Sequence, residues 1–495
     1  MNQDQSGRRV VAIGPMPPEK SAYALARYSR SPDSIERSIA WVHGHSSEKF
    51  WEQFYFDYGH ASIADLGHVI ICFEEISELA AIRLEDEPLW DGQAKSSRYQ
   101  NFASSRWFIP GHIRGSETEA VYEGILRSLS EVYRLLHDPL ISYLSEQEPR
   151  PESMKPADYQ RTIAARAFDA TRYLLPLAAK TNVGQVVSIR TLEKQITRLL
   201  SSRLTELRAI GEELKDACGR PPVNIWNELC GQTGVTADPL APTLARHARE
   251  NVYQESVYSD MARYAKEALR GTGLDQPENW DAVESVELIE AHDPLDEIVA
   301  TLLYRVTHAP YRNILAVVRE WSEKQKQDTL DVATKQRGPY DELVKEFRSG
   351  YAFVFDVLMD IGAWRDLHRH RRCQQVQQNF TTLHGYEVPT PLVAAGLDRE
   401  YRQAMDAVRH DIELLKKRDQ EASLYAIPFG FKVRCLFKMD FAEAEYIAKL
   451  RSGVKGHWSY RTVAWKMKQK MAQRYPVLGM HMQATSPDIE DTLHR

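Results

Sequence analysis

The chain has 495 residues, is 43% apolar and 27% charged, and carries a formal net charge of −6. That balance is ordinary for a globular protein with a large core, and it argues against a general nucleic-acid binder, which is usually basic. At ~100–200 residues per domain the length corresponds to two to four domains.

In chain order, MNQDQSGRRVVAIG is polar, with too short an apolar run for a signal peptide. Helical periodicity begins near Ser21, and Asp33 or Ser34 is placed to cap a second helix, IERSIAWVHGH. A strand is expected at Val69 to Phe73. Glu117 to Glu146 reads as one long helix broken at Pro139; Asp158 to Leu174 and Leu192 to Cys218 read as two more. Residues 231–285 are rich in turn signals (ADPLAP, GTGLDQPENW) and read as a connecting region. Further strands are expected at Val354 to Leu358 and Phe431 to Leu436, and the segment after Pro476 reads as an exposed, fraying terminus. No stretch approaches the ~20 apolar residues of a membrane span.

The cysteines are Cys72, Cys218, Cys230, Cys373 and Cys435. None forms a CxxC or stands at metal-ligand spacing from a histidine, so no metal site is expected. Their odd number suggests a reducing, cytoplasmic setting. Cys373 follows a run of arginines, a setting that can lower a thiol's pKa, but it reads as incidental to the chemistry.

The two halves echo one another. DATRYLLPLAAKTNVGQVVSIRTLEKQ parallels ASLYAIPFGFKVRCLFKMDFAEAEY, each reading as helix end, Pro, strand and new helix. The organisation expected is a first domain at 1–230, the connecting region at 231–285, a second domain at 286–480 and a tail at 481–495.

Two stretches carry the chemistry. FVFDVLMDIGAWRDLHRHR ends in Arg369, His370 and Arg371, beside an apolar run. In the first half, YGHASIADLGHV supplies His60, Ser62 and Asp65, and QAKSSRY supplies Gln93, Ser96, Ser97, Arg98 and Tyr99. These blocks resemble the flavin-dependent thymidylate synthases, whose signature is RHRxxSxNExSxRY. After Arg371 the match lapses: Gln374, Val376, Gln377, Asn379, Thr381 and Thr382 stand where the family has S, N/Q, E, S and R-Y. In the first half DEP, Asp86 to Pro88, stands at the RHR position, and Leu66 replaces a family histidine. The family's R-x-x-L-P turn is matched by Arg172 with Leu175-Pro176, and its N-x-R-S-L helix start by Ser188, Arg190 and Leu192. The second half keeps Pro428 and the L-R pair, Leu450-Arg451, but has Leu424 for the arginine.

The resemblance implies an α+β, mostly helical fold of two tandem domains, each a small sheet flanked by long helices. It implies reductive methylation of dUMP to dTMP by methylenetetrahydrofolate, with FAD carrying hydride and NADPH as reductant. Each half keeps what the other has lost, so one composite site is expected. Gln93, Ser96, Ser97, Arg98 and Arg172 would hold the nucleotide; Arg369, His370, Arg371, His60, Ser62, Asp65 and Arg190 would hold FAD; Arg451 and Arg369 would serve catalysis. Guanidinium forks suit phosphate oxygens, and a cation beside a flavin stabilises its reduced anion. Arg451 would hydrogen-bond the uracil carbonyls and stabilise charge developing on the ring. A homodimer resembling the family's tetramer is expected, with no membrane or nucleic-acid partner. None of the five cysteines follows a proline, as the nucleophile of the other thymidylate synthase class does.

Two plainer accounts compete. The arginines could simply suit a helix C-terminus, or the protein could bind flavin or nucleotide without turning it over. A third account, basic clusters such as HWSYRTVAWKMKQK on an acidic partner or RNA, sits poorly with the net charge.

Overall fold

The computed structural model describes residues 16–31, 34–57, 61–98, 106–223, 242–274, 284–289, 293–337, 343–480 and 482–491. Among these, helices dominate and seven strands form two small sheets. Strands β1 (His68–Ser77), β2 (Asp91–Ala94) and β3 (Lys180–Ser188) make a three-stranded sheet in the order β1-β3-β2. Strands β4 (Val286–Ile289), β5 (Phe353–Asp360), β6 (Gln374–Gln377) and β7 (Lys432–Met439) make a second sheet in the order β4-β5-β7-β6, antiparallel throughout. This is the expected α+β, mostly helical class.

By chain contacts the molecule divides into two units. The first comprises residues 1–72, 89–92 and 184–251; the second comprises 73–88, 93–183 and 252–495. In the first, the helices Pro18–Tyr28 and Ile35–His43 accompany Ile189–Leu200 and Thr205–Cys218. The buried Glu19 carboxylate accepts from the backbone N–H of Thr243 and Leu244 at 2.8 and 3.1 Å. A side chain at Gly67 would strike the Pro18 carbonyl at 2.5 Å, so only glycine fits there.

Three expectations are corrected. The segment Leu192 to Cys218 is two helices, not one. The chain turns at Ser201 and Ser202, where Ser202 Oγ accepts from Leu204 N, and the absence of a side chain at Gly211 lets the second helix close on Leu199 and Leu200. The helix Glu117–Gln147 runs through Pro139 unbroken. Leu136, Leu140 and Leu144 are buried on either side of it, and that packing outweighs the lost backbone bond. The C-terminal stretch is tied down, because buried Arg461 donates to the Ser486 and Ile489 carbonyls at 3.2 and 2.7 Å.

In the second unit, β5 and β7 are buried on both faces, yet they carry charged residues, Asp356 on β5 and Arg434 and Lys438 on β7. Charges on this sheet are paired, as burial demands. Asp356 accepts from Arg434 Nη1 and Tyr304 OH, both at 2.9 Å, and Lys438 Nζ donates to Glu297 at 2.7 Å and Thr301 at 2.9 Å.

The two proline turns that echo in sequence meet in this unit. Pro176 faces Pro428 in an antiparallel bridge. Leu177 N donates to Ile427 O at 3.0 Å and Phe429 N to Leu175 O at 2.9 Å; Ala178 N donates to Tyr425 O at 2.8 Å and Gly430 N to Tyr173 O at 2.9 Å. Each bond becomes its partner under one sequence offset, that between Pro176 and Pro428. The helices that follow β1 and β5 dock on these turns in the same way. Glu78 N and Leu79 N donate to Ala179 O and Leu177 O, while Ile361 N and Gly362 N donate to Phe431 O and Phe429 O. Four caps repeat as well: Ser77 and Asp360 cap the helices Glu78–Leu84 and Ile361–Leu367, and Ser188 and Asp440 cap Ile189–Leu200 and Phe441–Arg451. The arrangement is locally two-fold.

Candidate active site

The helix Ile361–Leu367 starts on Asp360, whose Oδ1 accepts from Ala363 N at 2.7 Å, and ends in the turn that carries the arginines. Gln375 on β6 staples that turn. Its Nε2 donates to the His370 carbonyl at 2.9 Å and the Leu367 carbonyl at 3.2 Å. Successive residues therefore point apart: Arg369 is exposed, His370 is buried and Arg371 is half-buried. Arg369 Nη1 donates to Gln93 Oε1 at 3.4 Å, tying Gln93 to this turn within the second unit.

His370 sits between two charges. Arg451 Nε donates to its Nε2 at 2.7 Å, and its Nδ1 faces Glu443 Oε1 at 3.1 Å. An arginine Nε–H is always a donor, so Nε2 must accept and the ring proton stands on Nδ1, toward Glu443. Burial pushes the His370 pKa below its ordinary value, and Arg451 adds to that, against the pull of Glu443. The ring is neutral and a fixed part of the scaffold.

Arg98 lies just after β2, with Ser97 buried beside it and Ser96 Oγ accepting its backbone N–H at 3.3 Å. Its guanidinium fork is already filled. Nε and Nη2 meet the two oxygens of Asp169 at 2.7 and 3.0 Å, and Nη1 donates to Tyr460 OH at 3.0 Å. Burial alone would push the Asp169 carboxyl up, but Arg98 above all holds it well below the usual carboxylate range. The Tyr460 ring lies between two guanidiniums, with Arg98 Cζ 5.8 Å and Arg451 Cζ 5.7 Å from its centroid.

Arg172 is different. Its side chain is 3% exposed, and its one bond, Nη1 to Asp366 Oδ2, is long at 3.5 Å. Its Nε and Nη2 are buried with no hydrogen-bond partner. The Nη2 atom lies over Gly362, where a side-chain carbon would approach it to 3.4 Å. Two unsatisfied donor atoms on a buried cation are costly, and an anion bound beside them would relieve that cost.

The second unit thus brings together Gln93, Ser97, Arg98 and Arg172 from the first half of the sequence with Arg369, His370, Arg371 and Arg451 from the second. Of the other expected flavin residues, Ser62, Asp65 and Arg190 lie in the first unit. There Arg190 Nη1 donates to Asp65 Oδ2 at 3.0 Å, and Ser62 is exposed. His60 and Tyr99 lie outside the described residues. Cys373 does not have the lowered pKa that neighbouring arginines can give: it is buried, and burial pushes the thiol up to about 12. Among the described residues no group of His, Cys, Asp or Glu could hold a metal ion, and no helix is long and apolar enough to cross a membrane.

Four residues of the site escaped sequence reading: Asp169, Gln375, Glu443 and Tyr460. Asp169, one helical turn before Arg172 in FDATRYLLP, was the most findable, since a carboxylate at that spacing shares a face with the arginine. The others meet the site only across the fold.

This chain is similar along most of its length to curated relatives named UPF0159 protein. It is 25% identical to that of Chlamydia pneumoniae over 454 residues, covering 86% of this chain and 79% of the relative. It is 24% identical to that of Chlamydia muridarum, with the same coverages, and 23% identical to that of Thermoplasma acidophilum, covering 92% of this chain and 93% of the relative. Among solved structures it resembles a flavin-dependent thymidylate synthase, ThyX, of Helicobacter pylori in complex with FAD and dUMP. That likeness has 15% identity and a TM-score of 0.25, and covers 43% of this chain and 93% of that one. A second crystal structure of the same enzyme gives 16% identity and a TM-score of 0.24, covering 41% and 89%. The profile of the family described as "Thymidylate synthase complementing protein" matches two segments, residues 13–219 and 303–477, and this chain is a member of that family with a two-part architecture.

Proposed function

We propose that the chain is a flavin-dependent thymidylate synthase-like methyltransferase, formed by tandem duplication and working at one composite site built from both halves of its sequence. The substrate would be dUMP, the methylene donor methylenetetrahydrofolate, the hydride carrier FAD and the reductant NADPH. The observation that carries this reading is Arg172: a buried guanidinium with two unsatisfied N–H groups, set among residues from both halves.

In this reading Arg172 takes phosphate oxygens of the nucleotide through Nε and Nη2. Ser96 and Ser97 add neutral donors. Arg98 holds Tyr460 by its hydroxyl and is itself held by Asp169, so it orders the nucleotide side of the site. Arg451, anchored on His370, presents its remaining N–H groups to the uracil carbonyls and stabilises charge developing on the ring. The turn after Ile361–Leu367 fits a flavin, because Gln375 fixes the backbone while Arg369 stays exposed on a long bond. Arg369 and Arg371 would hold it, and Arg369 would stabilise its reduced, anionic form. The bound flavin supplies hydride chemistry that no side chain can. The locally two-fold proline turns support duplication. At the position equivalent to Arg369 stands Asp86, ion-paired with Lys345 at 2.9 Å, as expected if the second of two former sites were abandoned.

One observation favours a second reading, a nucleotide- or flavin-binding protein without turnover. Arg98 and Arg451, both expected on ligand, are bonded within the protein.

The first test is the absorbance spectrum of the purified chain, with flavin counted per chain. About one FAD per chain supports a single composite site; no flavin, even after incubation with FAD, removes the enzyme reading. Folate-dependent release of tritium from labelled dUMP then separates turnover from binding alone. Arg98→Ala and Arg371→Ala, in opposite halves, should each abolish the same activity.

A further inference from the structure

Arg451 is held by a relay. Its Nε bonds His370 Nε2 at 2.7 Å, and His370 Nδ1 bonds Glu443 Oε1 at 3.1 Å. His370 and Glu443 are 5% and 2% exposed, so water does not compete for either. Arg451 lies at the last residue of the helix Phe441–Arg451 and Glu443 in its first turn, so the histidine from another segment ties both ends of that helix together. A neutral imidazole has two tautomers, and only the Nδ1–H form can accept from Arg451. A carboxylate facing Nδ1 selects that form.

The local two-fold repeat sharpens the point. Under the offset that relates the proline turns, Glu443 corresponds to Thr191 and Arg451 to Leu199. Under the offset that relates Glu78 to Ile361, His370 corresponds to Glu87. One half has all three members of the relay and the other has none of them, as expected of parts that work as a set.

We infer that Glu443 is a positioning residue, which fixes the tautomer of His370 and through it the orientation of Arg451 over the substrate ring. This rests on the thymidylate synthase-like reading above. Protonated His370 would turn a second N–H toward the Arg451 Nε–H, two donors face to face, so acid should release Arg451. The groups facing the imidazole are Glu443 and Arg451, with the Tyr446 ring edge-on at 5.7 Å. From its own turn come Arg372, 3.9 Å from Glu443, and the Cys373 thiol on the His370 carbonyl.

The test uses the full chain loaded with FAD, labelled with 15N in its histidine rings, with His370→Gln to assign the His370 signals. In the parent chain the proton resides on Nδ1. Glu443→Ala should mix the tautomers and lower kcat by about 10- to 100-fold with a smaller change in KM. Glu443→Gln, whose carbonyl still accepts from Nδ1, should restore the tautomer and most of the lost rate. Without the carboxylate His370 protonates at lower pH, so the acid limb of the Gln variant's rate profile should move down. An unchanged tautomer in Glu443→Ala overturns the relay, as does an unmoved acid limb in Glu443→Gln, which also serves if the Ala variant fails to fold. A normal tautomer response in a chain that binds no dUMP overturns the functional reading instead.

Discussion

Replacing Arg172 with methionine separates binding from stability. Methionine roughly fills the aliphatic volume of the arginine but carries no charge and no donors. The two N–H groups without partners, Nε and Nη2, are each worth about 1.5–3 kcal/mol once a phosphate accepts them. Their loss therefore removes at least ~3 kcal/mol, more than 100-fold in the dissociation constant for dUMP. In the ligand-free protein the same groups are a burden, since an unsatisfied buried donor costs ~1–3 kcal/mol. Against that relief stands the lost attraction for Asp366 and Asp360. Burial raises the pKa of Asp360, against the pull of Ser459 and Arg172, which weakens that attraction. The terms nearly cancel, so the melting temperature of the ligand-free variant should stay within about 2 °C of the parent, at roughly 2 °C per kcal/mol for a chain of this size. Isothermal titration with dUMP and a thermal melt decide it. A change in affinity below about threefold, or a ligand-free melt lowered by more than about 5 °C, would refute the assignment of Arg172 as an anion site held open at a cost.

The remaining predictions concern groups around that site. Asp169→Asn strips a buried guanidinium of its counter-charge and should cost about 3–5 kcal/mol, while Asp169→Asn with Arg98→Met should recover much of the loss in a double-mutant cycle. Because the folded-state pKa of Asp169 is depressed, its contribution is full above the unfolded carboxylate value and is lost as pH falls through the folded one. Acid titration of the melt should show that loss in the parent and not in the Asn variant. Glu78 behaves oppositely: burial raises it from 4.5 to about 7 despite its 2.7 Å contact with Arg365, so the fold holds the extra proton and stability rises as pH falls from about 7 to 4.5. Glu78→Gln should flatten that rise and gain roughly 3 kcal/mol at pH 8. Among the described cysteines, Cys72 is exposed, while Cys218, Cys373 and Cys435 are buried with thiol pKa values raised by burial. A thiol reagent at neutral pH should therefore label Cys72 in the native chain and the other three only on unfolding, read by mass spectrometry.

The amino-acid sequence by itself settled the class of fold and the chemistry to look for. Helical periodicity, the paired proline turns and the order of the arginine-bearing blocks are local patterns, and local patterns survive into the structure because helix propensity, caps and proline act over a few residues. Ser34, one of the two residues placed to cap the helix Ile35–His43, does cap it. Where local and distant forces disagreed, the distant ones won: buried leucines carried a helix through Pro139, and close approach at Gly211 folded Leu192 to Cys218 into a pair. Which arginines are free was decided by tertiary structure alone. Arg98 and Arg172 look equivalent in sequence, yet Asp169 claims the first and leaves the second with open donors. Likewise Arg369 and His370 are neighbours, but Gln375 holds their turn so that one meets solvent and the other is locked between Glu443 and Arg451. A side chain's charge belongs to its residue type and can be read anywhere. Its availability depends on which partner the fold brings within about 3 Å, and that no spacing along the chain encodes.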